Sequence, residues 1–260
     1  MDVHTLVVAA RRNNFMANQR LATAFPNEHL TMIFDAMAHN ALDGPVLSRH
    51  ARLSKDTDSA HRMPVHLVGG LTWGAGGHRT WCYFYDLLVS GGANNTCEVL
   101  MRMLEWLGAA DKLPKDPKNR VLHLQADNCA DNKNWVVLAL CAVLVRTGVF
   151  TKVELDFLHV GHTHEVIDQV FAVIAHWMRD TGDDLSTLPK FMAGVRSLVA
   201  AIECVELPGV RDFAVALEPF RVGTLSGTQR CFSFRFLPSA SGKSVNLAYQ
   251  SDERIDAEWY

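Results

Sequence analysis

The chain has 260 residues, of which 48% are apolar, 20% charged and 9% aromatic, the make-up of an ordinary folded protein, which excludes disordered and fibrous classes. Twenty-five Lys and Arg stand against 28 Asp and Glu, a formal charge of −3, so the surface as a whole is no polycation and any nucleic-acid contact must be local. Six cysteines occur without a C-x-x-C pair, which excludes a zinc ribbon and suits reduced interior thiols. With no signal-peptide pattern and no run of 18 apolar residues, the reading is an intracellular protein. The chain opens on a helical pattern and stops abruptly at Trp259-Tyr260, as a piece of a longer product would.

In chain order, residues 3–24 place apolar positions and Arg11, Arg12 and Arg20 at helical spacing, a leading helical segment (1–28) with the arginines on a solvated or phosphate-contacting face. Leu30–Phe34 is a buried strand ending at Asp35, and 36–63 a polar, turn-rich excursion. Runs at 65–72 and 80–85, joined through Gly74-Ala75-Gly76-Gly77, predict a hairpin. Val99, Leu100, Met103, Leu104 and Leu107 recur at steps of three and four, a helix over 94–110. Val121–Ala126 is a short strand, 133–147 an apolar helix, 152–158 a strand and 165–178 another helix. Beyond these lie a helix over 188–202 and two strands, 230–237 and 245–249, that can pair across Ser239–Gly242. Antiparallel strands followed by strand-helix alternation predict an α/β protein with a mixed sheet, an antiparallel hairpin plus parallel strands, flanked by helices. A second region, 29–260, then carries the sheet with a C-terminal helix and β-hairpin extension.

Three acids stand where such a sheet would gather them. Asp35 ends the first strand, Asp127 ends the strand after the first crossover helix, and Asp168 lies one turn into the helix after the next strand. Reactive groups collect at strand ends near a topological switch, and carboxylates gathered there repel unless a divalent cation holds them. Mg²⁺ or Mn²⁺ is the expected cofactor. Asp168 is preferred to Glu165, which points outward at the helix start where a carboxylate suits the macrodipole. Taken alone, each aspartate reads first as a strand or helix cap, and it is the shared placement of all three that favours a metal site.

Around Asp127 the run Asp127-Asn128-Cys129-Ala130-Asp131-Asn132-Lys133-Asn134 is dense in side chains that bind metal, phosphate or water. Asp131 or Asn132 can cap the next helix, Lys133 can face a phosphodiester, and Asn128 and Asn134 join them as auxiliary residues. Gly161-His162-Thr163-His164 could be a transition-metal element with Asp168 or a hydrogen-bonded helix start. His123 and His159 read as satisfied core or edge histidines. His39 follows the first acid by four residues.

The segments F-D-A-M-A-H-N (34–40), A-D-N-C-A-D-N-K-N (126–134), F-L-H-V-G-H-T-H-E-V-I-D-Q-V-F (157–171) and the F-x-F-x-F strand at 232–236 resemble the transposon-derived, RNase H-like domains long described as a domain of unknown function. The resemblance spans roughly 10–260 and departs from the usual pattern at Ala130-Asp131, where relatives show glycine and glutamine. It implies an RNase H-like fold and a DDE/D-type site, its acids falling on Asp35, Asp127 and Asp168. The implied activity is divalent-metal-dependent phosphodiester cleavage and strand transfer on DNA, with His162 or His164 orienting the site or touching phosphate. DNA is the implied partner, no membrane is involved, a homo-oligomer is compatible, and a nuclear location follows. The alternative is a domesticated or decayed domain with a non-catalytic binding role. A dinuclear metallophosphoesterase, suggested by Gly-His-Thr-His alone, lacks its other motifs. The chain shows no recognisable N-terminal DNA-binding module.

Overall fold

The computed structural model describes residues 3–37, 43–44, 63–86, 92–157, 166–181, 185, 187–198, 201–221, 228–250 and 259. The elements are α1 (Val3–Ala24), β1 (His29–Ala36), β2 (Asp43–Gly44), β3 (Met63–Trp73), β4 (Arg79–Asp86), α2 (Ala93–Ala109), β5 (Val121–Ala126), α3 (Trp135–Arg146), β6 (Lys152–Phe157), α4 (Val166–Asp180), α5 (Leu188–Leu198), β7 (Ile202–Glu206), α6 (Phe213–Leu217), β8 (Ser233–Pro238) and β9 (Val245–Gln250). Eight strands run in the order β7-β4-β3-β1-β5-β6-β8-β9, and β2 pairs with β3. The β1–β3 and β3–β4 pairs are antiparallel, whereas β1–β5 and β5–β6 are parallel, because helices α2 and α3 carry the chain back between them. This is the mixed α/β sheet that the sequence predicts, with the strands leading to Asp35 and Asp127 adjacent and parallel.

The sheet is buried on both faces. One side chain set, including Met32, Phe34, Leu124 and Leu155, packs beneath α2, α3 and α6 against Val99, Met103, Val137 and Cys141. The opposite set, including Ile33, Leu67, Leu71 and Phe84, meets Ile167, Phe171 and Ile174 of α4, Phe191 and Val195 of α5, and Phe15 of α1. Alternation along β6 explains why this second face becomes polar farther along: Val153, Leu155 and Phe157 are buried, and Lys152, Glu154 and Asp156 turn the other way. Glycine sets how near α4 can come. A Cβ on Gly69 would lie 2.7 Å from Ile167 Cδ1 and 2.8 Å from Phe171 Cε1, so the helix seats directly on the strand backbone.

Two expectations change, at the end of α5 and at Arg11. The helix expected over 188–202 ends at Leu198, and Ile202 opens β7, parallel to β4, which the alternating burial of I-E-C-V-E accounts for. The excursion at 36–63 contains the short β2, most of its other residues lying outside those described. Residue Arg11 is not on a solvated face: it is 5% exposed, donates from Nη1 to Ser233 Oγ at 2.9 Å and lies 3.8 Å from Asp156. All six cysteines are free thiols, five of them buried, as expected, although Cys129 is only half-buried. Among the described residues no helix is long and apolar enough to cross a membrane.

Candidate active site

The last register pair of the parallel β1–β5 ladder is Phe34 opposite Ala126; Asp35 is the next residue on β1, and Asp127 directly follows β5. Both half-buried aspartates line one cavity of about 170 Å³ at the C-terminal ends of the strands. Its remaining walls include His66 and Tyr85 of the hairpin, Asn95 and Thr96 in the first turn of α2, and Cys129, Asp131 and Asn132 of the turn after β5. No Lys or Arg is among these lining residues.

Burial pushes the Asp127 carboxyl above its ordinary range, and a hydrogen bond from the Cys129 thiol only partly offsets this. Burial likewise raises the Cys129 thiol, and the neighbouring Asp127 charge adds to the effect. The Asp35 carboxylate accepts the Ala36 N–H at 2.8 Å. Tyr85 is 5% exposed and its hydroxyl is pushed up to about 12, first by burial, with a hydrogen bond to Asn95 acting the other way. Its ring stacks on His66 with centroids 4.9 Å apart.

The turn after β5 is held by its own side chains. The Asn132 amide donates from Nδ2 to the Asp127 carbonyl at 3.3 Å and accepts from Thr96 Oγ1 at 2.9 Å, tying the turn to α2. The α3 cap is Asn134, not Asp131 or Asn132: its Oδ1 accepts from the backbone N–H groups of Val136 and Val137, and its Nδ2 donates to the carbonyls of Ala130 and Asp131. Lys133 is 7% exposed, donates to Asn128 Oδ1 at 2.9 Å, and places its ammonium 5.2 Å from the ring centres of Phe157 and Phe232. Burial lowers its pKa to about 8. It does not line the cavity, so in this structure it braces the turn and offers no charge to a phosphodiester there.

Asp168 stands in the first turn of α4, half-buried, and is not among the cavity-lining residues. Its neighbour Ile167 packs on Gly69, which pairs with Asp35 across β1–β3, so the start of α4 lies over the same end of the sheet. The structure thus brings Asp35 and Asp127 into one cavity and leaves Asp168 off its walls, in the first turn of α4 over the same end of the sheet. His39, His162, His164, Glu165 and His159 lie outside the described residues. His123 is buried beside Glu154, as expected of a core histidine. Sequence reasoning overlooked Asn95, Tyr85 and His66, for which only the topology, bringing α2 and the hairpin to the ends of β1 and β5, gives a signal.

A family model described as a domain of unknown function, DUF7869, matches residues 55–253. The chain belongs to that family. The match takes in Asp127 and Asp168 and begins after Asp35. Neither the curated proteins nor the solved structures yield a match.

In this DUF7869 domain, the cavity walls offer carboxylate, amide and hydroxyl oxygens of the kind a hard divalent cation takes, beside the His66 imidazole and the Cys129 thiol. The buried Oδ1 of Asn95 has no partner among the described residues, an orphaned acceptor of the kind a cation or its water would satisfy. Among the described residues, no three Asp, Glu, His or Cys side chains are gathered closely enough to hold a metal by themselves. Any cation held there must therefore take neutral oxygens or draw in a further acid.

Proposed function

We propose that this chain is the catalytic core of a transposase-like nuclease that cleaves DNA phosphodiesters and transfers strands with the help of Mg²⁺ or Mn²⁺. The observation that carries the reading is the placement of Asp35 and Asp127 as successive neighbours on adjacent parallel strands, sharing one polar cavity at their C-terminal ends. The β4-β3-β1-β5-β6 order, three antiparallel strands followed by two parallel ones, supports an RNase H-like frame for that pair.

When bound, divalent ions would lower the pKa of an attacking water or 3′-hydroxyl and stabilise the leaving oxygen. Asp35 and Asp127 would hold them, with Asp168 drawn from the start of α4 as the third acid. The rigid β1–β5 ladder fixes the spacing of the first two carboxylates, Asn132 pins the Asp127 backbone, and the raised Asp127 pKa reflects a carboxylate held away from water without a cationic side chain. DNA is the substrate in this reading, and the protein acts inside the cell.

A second, non-catalytic reading, a domesticated domain that binds DNA or protein, is favoured by one observation: the three acids are not gathered as a set. The discriminating experiment is a supercoiled-plasmid nicking assay with Mg²⁺ or Mn²⁺, run on the full chain and on Asp127→Asn. Metal-dependent nicking that disappears in Asp127→Asn is the expected result. Nicking that survives the substitution removes Asp127 from the chemistry, and wild-type protein that nicks no DNA leaves the non-catalytic reading.

A further inference from the structure

Asn95 stands on the α2 wall of the cavity and is 4% exposed. Its amide hydrogen-bonds the Tyr85 hydroxyl, while its Oδ1 is buried and meets no partner among the described residues. An acceptor stripped of water and left unpaired costs about 1–3 kcal/mol, and a bound water or ion is one way its lone pairs are met. The groups sharing that wall space are also oxygen donors: the carboxylates of Asp35, Asp127 and Asp131. Asp131 sits at the mouth, its Oδ1 3.9 Å from the point a Cβ on Gly92 would occupy, and so already supplies the negative charge that the N-terminus of α2 attracts. An anion would meet three carboxylates here, with no lysine or arginine among the described wall residues. A cation meets complementary charge and an oxygen in need of a partner.

We propose that the Asn95 carbonyl oxygen is a neutral ligand of a divalent cation held between Asp35 and Asp127. This rests on the metal-dependent reading above and deepens it, by placing a donor on α2 that the three-aspartate scheme does not contain. Two carboxylates and an amide oxygen form a hard set that needs no third acid, which accords with the absence of a gathered triplet. A cavity of about 170 Å³ leaves room for the waters that Mg²⁺ retains. The Tyr85 hydrogen bond engages the amide of Asn95, and the stacking of Tyr85 on His66 keeps that partner in place.

The test is Mn²⁺ binding to the full chain, followed by calorimetry and by the loss of the free-ion electron paramagnetic resonance signal. Thermal melts in the absence of metal report folding. Asn95→Leu, which keeps the branched shape and removes the oxygen, should weaken Mn²⁺ binding about tenfold or more, and Asn95→Asp, which puts a charged oxygen at the same point, should bind at least as tightly as wild type. Both substitutions lose the amide donor to Tyr85, so a merely structural Asn95 would weaken binding alike in the two variants, and that outcome overturns the proposal. Wild-type affinity in Asn95→Leu also overturns it, while loss of binding in Asp127→Asn keeps the metal reading standing. Should Asn95→Leu fail to fold, Asn95→Asp decides alone: affinity below wild type overturns the proposal. Wild-type protein that binds no Mn²⁺ removes the metal reading and this inference together.

Discussion

The two ends of the β1–β5–β6 ladder treat polar side chains in opposite ways. At the end where β1 begins, His29 Nδ1 lies 3.1 Å from His123 Nε2, and His123 Nδ1 lies 2.9 Å from Glu154 Oε2. Glu154 in turn has Lys152 at 3.2 Å and Arg235 at 3.0 Å. Although burial works against it, this company of His123, Lys152 and Arg235 brings the Glu154 carboxyl down to about 2. At the other end Asp127 is pushed upward by burial and meets a thiol, and Asn95 Oδ1 meets nothing described. Similar strands thus give a carboxylate paired with cationic side chains at one end and, among the described residues, no Lys or Arg on the cavity walls at the other. The first end stabilises the fold, and the second is where an added cation would do so.

Breaking the charge-paired end should have the largest effect. The folded pKa of Glu154 lies below its ordinary value near 4.5, so its stabilisation is fully present above that pH and is lost as pH falls toward about 2. Glu154→Gln removes it at neutral pH, and a loss of roughly 2–3 kcal/mol is expected, read as a lower midpoint in urea and a flatter acid limb of stability. His29 adds a smaller slope of related sign. Burial and the neighbouring His123 lower its pKa, so stability is lost as pH drops below about 6.5, where the unfolded chain takes up the proton first.

Gly69→Ala tests the link between α4 and the candidate site. The new methyl would strike Ile167 and Phe171, so a cost of about 1–3 kcal/mol is expected by denaturant unfolding. If Asp168 joins the metal, the same change should weaken Mn²⁺ binding, because it lifts the helix start that carries this acid. Asn134→Ala should cost about 1 kcal/mol through the lost α3 cap, with Mn²⁺ affinity falling only as far as the turn loosens.

Periodicity was enough to find the elements that position the first two acids. Val99, Leu100, Met103, Leu104 and Leu107 are all buried on α2, and a crossover helix of that length requires the parallel pairing that sets Asp35 beside Asp127. Long-range pairings left no such trace. Arg11 looks like a surface arginine because its partners, Ser233 and Asp156, lie far along the chain. Lys133 looks like a phosphate ligand until Phe157 and Phe232 are seen to enclose it. The asparagines of the Asp127 turn are dense for a largely structural reason, since Asn128 holds Lys133, Asn132 holds the Asp127 carbonyl and Asn134 caps α3. Asn95 was illegible because a buried asparagine in an amphipathic helix carries no sequence mark of an unfilled hydrogen bond.

The smallest effect in the absence of metal, and the one whose sign matters most, is that of Asp127→Asn. The folded pKa of Asp127 is raised, so ionising it costs more in the native state than in the unfolded chain, and the penalty is present at every pH above the folded value. Removing the charge should therefore leave apo stability unchanged or raise it by less than about 1 kcal/mol, since the group is half open to solvent. With Mn²⁺ the order reverses. A ligand that binds only the folded state adds about 2.7 kcal/mol at a hundred times its Kd, and wild type should gain this while Asp127→Asn gains little. Melts of both proteins with and without Mn²⁺ read the two signs in one experiment. A destabilised apo variant would mean that Asp127 belongs with Glu154 among the satisfied carboxylates, and the contrast between the two ends of the ladder would fail.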